Sequence, residues 1–202
     1  MGLRAYALQR QFRGRQALTE SVSPPASLPD MPRDQDEALV GPATARLFQA
    51  HAEEVWRFLK YLGVREHDLA DACQEVFLVA HRKLPEFRGD AAPRTWLYGI
   101  SLRVAKTWRR RRQLVPLGED ERSVGPMQEH EQERRDTHEL LCWALDRISE
   151  VQREVFVLHE IEEVPMAEVA ERLECGVFTA YSRLRLARRG LKRALAEKGV
   201  KR

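Results

Sequence analysis

Asp68, Asp71 and Glu75 recur at i, i+3 and i+7, a spacing that sets three carboxylates on one face of a helix. Acidic groups so arranged can hold a cation or meet a basic partner. A metal site needs ligands converging from more than one direction, and no histidine or second carboxylate set stands at a supporting spacing; His67 adjoins Asp68 and points elsewhere. Downstream the sign reverses. Arg94–Arg112 carries seven basic residues and no acidic one, ends in four consecutive arginines, and interleaves Trp96, Tyr98, Thr107 and Trp108. Basic charge tracks phosphates, and exposed aromatics stack on unpaired bases for roughly 1–3 kcal/mol each. Trp96 and Ile100 at helical spacing also suit a core. The arginine run exceeds what a helix C-terminus asks of its dipole. A second basic segment, between Phe178 and Leu195, has Arg183, Arg185, Arg188, Arg189, Lys192 and Arg193 and again no acid.

Enzymatic chemistry finds little to stand on. The metalloprotease HExxH, phosphate-binding P-loop, GxSxG and GxGxxG patterns are absent. His51, His81, His130, His138 and His159 are scattered in polar contexts and are expected to be solvated. No catalytic residue, metal or cofactor is expected.

The elements that must position these charges read as helices throughout. From Pro42 the apolar period becomes helical, with Phe48, Val55, Leu59 and Leu62 on one stripe and Gly63 as a stop. Leu69, Ala72, Cys73, Val76, Phe77 and Ala80 form the next stripe, which Pro85 ends. After the loop PEFRGDAA, Pro93 suits the first turn of a third helix with Trp96, Ile100, Val104 and Trp108 on one face. Residues 113–136, with Gly, Pro and seven acidic against three basic residues, have the composition of a linker. Helices resume with Leu140, Leu141, Ala144, Leu145 and Ile148, and Ser149 with Gln152 makes a capping-box pattern before Val155, Phe156 and Leu158. Pro165 then opens a short helix, a turn follows at Glu174–Val177, and Ala180, Leu184, Ala187, Leu191 and Leu195 stripe a longer one. Short helix, glycine-containing turn and basic second helix make the helix-turn-helix pattern. No segment alternates as a strand would.

With 202 residues the chain has room for one domain or two small ones, and its net charge of +3 says less about partners than the segregation of its charges does. Residues 1–40, rich in Pro, Ser and Asp, read as a flexible extension with a possible short helix at Arg4–Arg15. Cys73, Cys142 and Cys175 form no CxxC pair, and the first two fall on apolar stripes, as buried free thiols of a reducing compartment do. No apolar run approaches the ~18 residues of a membrane span, and no signal-peptide core opens the chain, so no membrane insertion and a cytoplasmic location are expected.

The segments DACQEVFLVAHRKL, FRGD and RTWLYGI with the basic run after them resemble region 2 of an extracytoplasmic-function (ECF) sigma factor. DRISEVQREVFVLHEIEEVPMAEVAERLECGVFTAYSRLRLAR resembles region 4 of the same family. The two blocks, about residues 43–112 and 138–195, stand in the family's order. The resemblance implies an all-α protein of two small helical domains: 41–112 for core polymerase and the −10 element, 137–196 for the −35 element, with 113–136 as acidic linker and 197–202 as basic tail. It implies that Asp71, Gln74 and Glu75 dock on the clamp helices of the largest subunit of core RNA polymerase. Phe87, Arg88, Arg94, Trp96, Arg103, Lys106, Arg109 and Arg110 would meet the −10 element, and Thr179, Tyr181, Ser182, Arg183, Arg185, Arg188 and Arg189 the −35 element. An anti-sigma factor is the further partner the family implies.

Three positions depart from the family pattern. Arg103 stands where the family often has an Asn associated with a flipped promoter base, Phe178 where it has Gly, and Tyr181 where it commonly has a cation. Two other readings remain open on the residues alone. A free-standing helix-turn-helix regulator accounts for the second block and leaves the first unexplained, and a pure protein-interaction module leaves the arginine face idle.

Overall fold

The computed structural model describes residues 34–89, 91–114 and 129–199. The candidate helix at Arg4–Arg15 and most of the acidic stretch lie outside them. Helix α1, Asp34–Tyr61, is broken at Gly41, whose φ of 67° leaves the helical region; Pro42 then occupies the first turn of the continuation. A 3₁₀ turn at Glu66–Asp68 leads into α2, Leu69–Lys83, and α3 spans Pro93–Leu114. These three pack on one another. The expected stripe of α2 is buried, whereas on α3 the buried line is Leu97, Ser101, Val104 and Ala105, which rotates Trp96 half outward from the face on which it was expected. Phe58, Leu59, Leu62, Leu69, Val76, Leu97 and Tyr98 are fully buried, with Phe58 stacked on Tyr98 at 4.2 Å between centroids.

Gly63 ends α1 in the left-handed conformation, φ 86°. Its N–H bonds Lys60 O at 3.0 Å and that of Val64 bonds Leu59 O at 3.1 Å, the paired closure of a Schellman motif. A Cβ there would lie 2.0 Å from Arg153 Nη1. That guanidinium cannot swing aside cheaply, since it bonds Leu145 O, Leu62 O and Asp146. Gly63→Ala is therefore expected to cost about 1–3 kcal/mol in urea unfolding, from backbone strain and displacement of Arg153.

The second group comprises α4 (Glu129–Leu145), α5 (Glu150–Phe156) running into a π turn at Val157–Ile161, α6 (Met166–Arg172) and α7 (Val177–Glu197). Among the described residues every element is helical. Ala180, Leu184, Ala187 and Leu191 of α7 are buried with Leu145, Val155, Phe156, Leu158, Val169 and Ala170. Gly190 allows the close approach of α7 to the turn between α4 and α5, because a Cβ there would meet Ile148 Cγ2 at 2.6 Å.

Four local expectations change, the first being that α1 starts at Asp34, inside the stretch 1–40 read as a flexible extension. Helix α4 begins at Glu129, inside the stretch read as a linker, because EHEQERRD lacks Gly and Pro and is rich in strong helix formers. Ser149 occupies the N-cap of α5 with extended backbone, but its hydroxyl makes no capping bond. The α6–α7 turn falls where it was expected, with Glu174 left-handed at φ 49° and Gly176 an extended N-cap. His138, expected in solvent, is buried beside Tyr61 at 4.9 Å, since it precedes Leu141 and Cys142 by one helical turn on the packed stripe. Of the other histidines with described side chains, His51 pairs with Glu54, His81 with Thr44, and His159 with Val164 O. Cys73 is buried and Cys142 partly so; burial pushes both thiols up to about 12, far from the reactive range.

Candidate nucleic-acid interface

Helix α2 presents its polar side outward, opposite the stripe that packs on α1 and α3. Asp71 and Gln74 are exposed there. Glu75 lies at the shoulder, half-buried, and accepts a hydrogen bond of 2.9 Å from Trp108 Nε1. The structure thus separates the three: two face solvent, and the third ties α2 to α3. Leu78, 46% exposed, continues the line of Asp71 and Gln74 at i+7. Sequence reading passed over it, although its place off the core stripe was visible in the periodicity. Asp68 is half-buried, close to His67, and among the described residues no group of three His, Cys, Asp or Glu could hold a metal ion.

The basic residues of α3 divide between two faces. At 100° per residue, Trp96, Arg103, Lys106 and Arg110 fall on one outward line. Arg103, Lys106 and Arg110 are exposed, and Trp96 is half-exposed with Phe87 of the preceding loop against it, 4.7 Å between centroids. Arg88 is exposed in that loop. This cluster of aromatic rings and cations is the arrangement that single-stranded DNA requires, stacking platforms beside phosphate partners. Arg94 and Arg109 point the other way, into the seam with the second group.

That seam is built from charge. Arg94 donates to Glu162 O at 3.1 Å and pairs with Glu54 at 3.5 Å. Tyr98 donates its hydroxyl hydrogen to Glu162 in a short bond between buried groups. Arg109 bonds Leu62 O, pairs with Glu150 and lies 3.6 Å from Glu154. Arg153 reaches back to Leu62 O at 2.9 Å. Burial lifts both Glu154 and Glu162 above the ordinary carboxylate range, while the neighbouring arginines pull the other way. Beside the seam a cleft of about 520 Å³ is lined by Gly63, Arg65, Arg109, Arg110, Asp146, Glu150 and Arg153, with no nucleophile among them.

Helix α7 turns its apolar stripe inward and its cations outward. Thr179, Tyr181, Ser182, Arg185 and Arg189 are exposed. Arg183 is only half-exposed, on the shoulder next to the packed stripe, and Arg188 is held by Glu160 at 2.6 Å. Of the seven residues expected to meet DNA from this helix, Arg185 therefore stands further out than Arg183.

Family models agree with both halves of this architecture. Sigma-70 region 2 matches residues 47–115 and Sigma-70, region 4 matches residues 144–191. The chain is 28% identical over 138 residues to the ECF RNA polymerase sigma-E factor of Haemophilus influenzae, covering 62% of this chain and 73% of that protein. It is also 28% identical over 142 residues to that of Escherichia coli, covering 61% and 72%. Among solved structures it is similar to CnrH in complex with the cytosolic domain of CnrY, with a TM-score of 0.59 at 21% identity over 91% of this chain and 97% of that one. It is likewise similar to the sigma factor RpoE solved with the anti-sigma factor NepR from Bartonella quintana, with a TM-score of 0.62 at 20% identity over 80% of this chain and 100% of that one. At those identities the structural likeness is one of fold. With region 2 and region 4 matched in order on two helical units, the chain belongs to the ECF group of RNA polymerase sigma factors and is an alternative sigma factor directing transcription.

Proposed function

We propose that the chain bridges core RNA polymerase and promoter DNA, the outer face of α2 docking on the clamp helices of the largest subunit. The outward line of α3, with Phe87 and Arg88, meets the −10 element as it melts, and α7 reads the −35 element in duplex form. The single observation that carries this reading is the segregation of charge. The outward line Asp71, Gln74 and Leu78 of α2 carries an acid and no cation, while the outward faces of α3 and α7 are basic, in a chain of net charge +3, as a bridge between a protein surface and DNA needs. The protein works in the cytoplasm, supplies binding energy for strand opening without catalysing a covalent step, and is held in check by an anti-sigma factor. Arg94 and Arg109 are engaged by Glu54, Glu150, Glu154 and Glu162, so they reach DNA only when the seam between the two regions parts.

The test is holoenzyme assembly followed by transcription from genomic DNA. Asp71→Ala with Gln74→Ala should weaken core-polymerase binding about tenfold or more without changing thermal stability, because neither side chain packs in the core. Leu78→Ala should add to that loss. Unchanged holoenzyme affinity in the triple variant refutes the docking face. A chain that shifts duplex promoter DNA tightly without polymerase would instead be a free-standing helix-turn-helix regulator.

A further inference from the structure

Three of the five large hydrophobic residues exposed among the described residues fall in the first turn and a half of α7: Val177, Phe178 and Tyr181. Phe178 is 89% exposed and Tyr181 is 52% exposed. No ring, hydrogen-bond or core contact within the fold takes up Phe178. At 100° per residue Phe178 lies on the same outward line as Ser182, Arg185 and Arg189, directly opposite Ala180, Leu184, Ala187 and Leu191 in the core. Tyr181 flanks it one turn along.

The occupant of this line follows from its charge. Between Phe178 and Leu195 the exposed charged residues of α7 are Arg185, Arg188, Arg189, Lys192 and Arg193, with no acid among them. A polyanion fits such a face, and a helix that enters the major groove does so with its N-terminal residues at the base edges. An aromatic ring offers those edges neither donor nor acceptor along its apolar rim. The apolar feature available in the major groove is the 5-methyl group of thymine, and apolar contact with it is an established mode of direct readout.

We propose that Phe178, flanked by Tyr181, is a specificity-determining residue of the −35 contact that selects thymine through its 5-methyl group. The inference rests on the reading of α7 as the −35 helix. It assigns to an aromatic residue the selection that a glycine at this position cannot make, lacking a side chain.

The experiment uses the full chain reconstituted with core polymerase on a promoter recovered from genomic DNA. Each thymine of the −35 element is replaced singly by deoxyuridine, which removes the methyl group and leaves base pairing intact. The wild-type holoenzyme should lose about fourfold in promoter affinity at one or two of these positions, the worth of one buried methyl-sized group. Phe178→Ala should show the weaker affinity on the thymine promoter and no further response to uracil at the same positions, whereas Phe178→Leu should keep most of the response. Because the side chain is exposed, the variants should unfold at the wild-type temperature. A wild-type protein indifferent to every uracil substitution, or a Phe178→Ala variant that still responds, overturns the inference and leaves −35 recognition intact if scrambling the element still abolishes transcription. Transcription indifferent to scrambling overturns the −35 reading and this inference with it.

Discussion

Phe58→Ala should lower the free energy of unfolding by roughly 3–5 kcal/mol, a large part of the ~5–15 kcal/mol that a domain of this kind possesses. Phe58 has no exposed surface. It stacks on Tyr98 at 4.2 Å, and Tyr98 in turn bonds Glu162 across the seam. The truncation therefore removes buried apolar surface, leaves a cavity and loosens the ring that anchors region 4 to region 2. Urea unfolding followed by tryptophan fluorescence measures the loss, with Trp56, Trp96 and Trp108 reporting from region 2 and Trp143 from region 4. A loss under about 1 kcal/mol would mean that the ring is not packed as described. Phe58→Leu, which keeps most of the volume, should cost markedly less.

Acid should destabilise the protein through His138. Burial first, then the charges of Lys60 and Arg57, lower its pKa from 6.5 to about 4. Around it stand the Tyr61 ring at 4.9 Å and Cys142 Sγ at 3.8 Å, and its Nε2 makes no hydrogen bond to the protein. Above about pH 6.5 the imidazole is neutral in both states and contributes no pH dependence. As pH falls, the unfolded chain binds a proton that the folded chain refuses, so stability declines between about 6.5 and 4 by up to roughly 3 kcal/mol. Glu154 and Glu162 act in the opposite sense. Their raised folded-state pKa values mean that the folded chain takes up protons more readily than the unfolded one as pH falls. The informative quantity is consequently the difference between wild type and His138→Gln, measured by thermal unfolding from pH 7 to pH 4. The variant should lack the wild-type component of the slope; parallel curves would show that His138 is solvated.

The helices, their order and most of their inward stripes were legible in the chain because they are consequences of local period and punctuation. On α3 the bulk of Trp96 drew the stripe away from Leu97 and Ser101, which the structure buries. Leu69, Ala72, Cys73, Val76 and Phe77 repeat at helical spacing, and Pro85 ends that helix wherever it packs. Gly63 was readable as a stop for the same local reason, and the family resemblance was carried by contiguous strings. The α4 boundary was misread because acidic charge, which suits a linker, also suits a helix when Gly and Pro are absent.

Partnership between distant residues had no such local signature. Arg94, Arg103, Lys106, Arg109 and Arg110 look alike as a basic run, yet helical rotation sends three to solvent and two into the seam, where Glu150, Glu154 and Glu162 await them. Glu75 and Asp71 read as one acidic face until Trp108 of another helix takes Glu75. His138 becomes buried because α1 supplies Tyr61 across from it. The sequence by itself determined which residues turn inward on most of the helices, since that depends on spacing along one chain segment. Only the tertiary structure decided which polar residues remain available to a partner, because Coulombic pairing and burial depend on what other elements bring within a few ångströms.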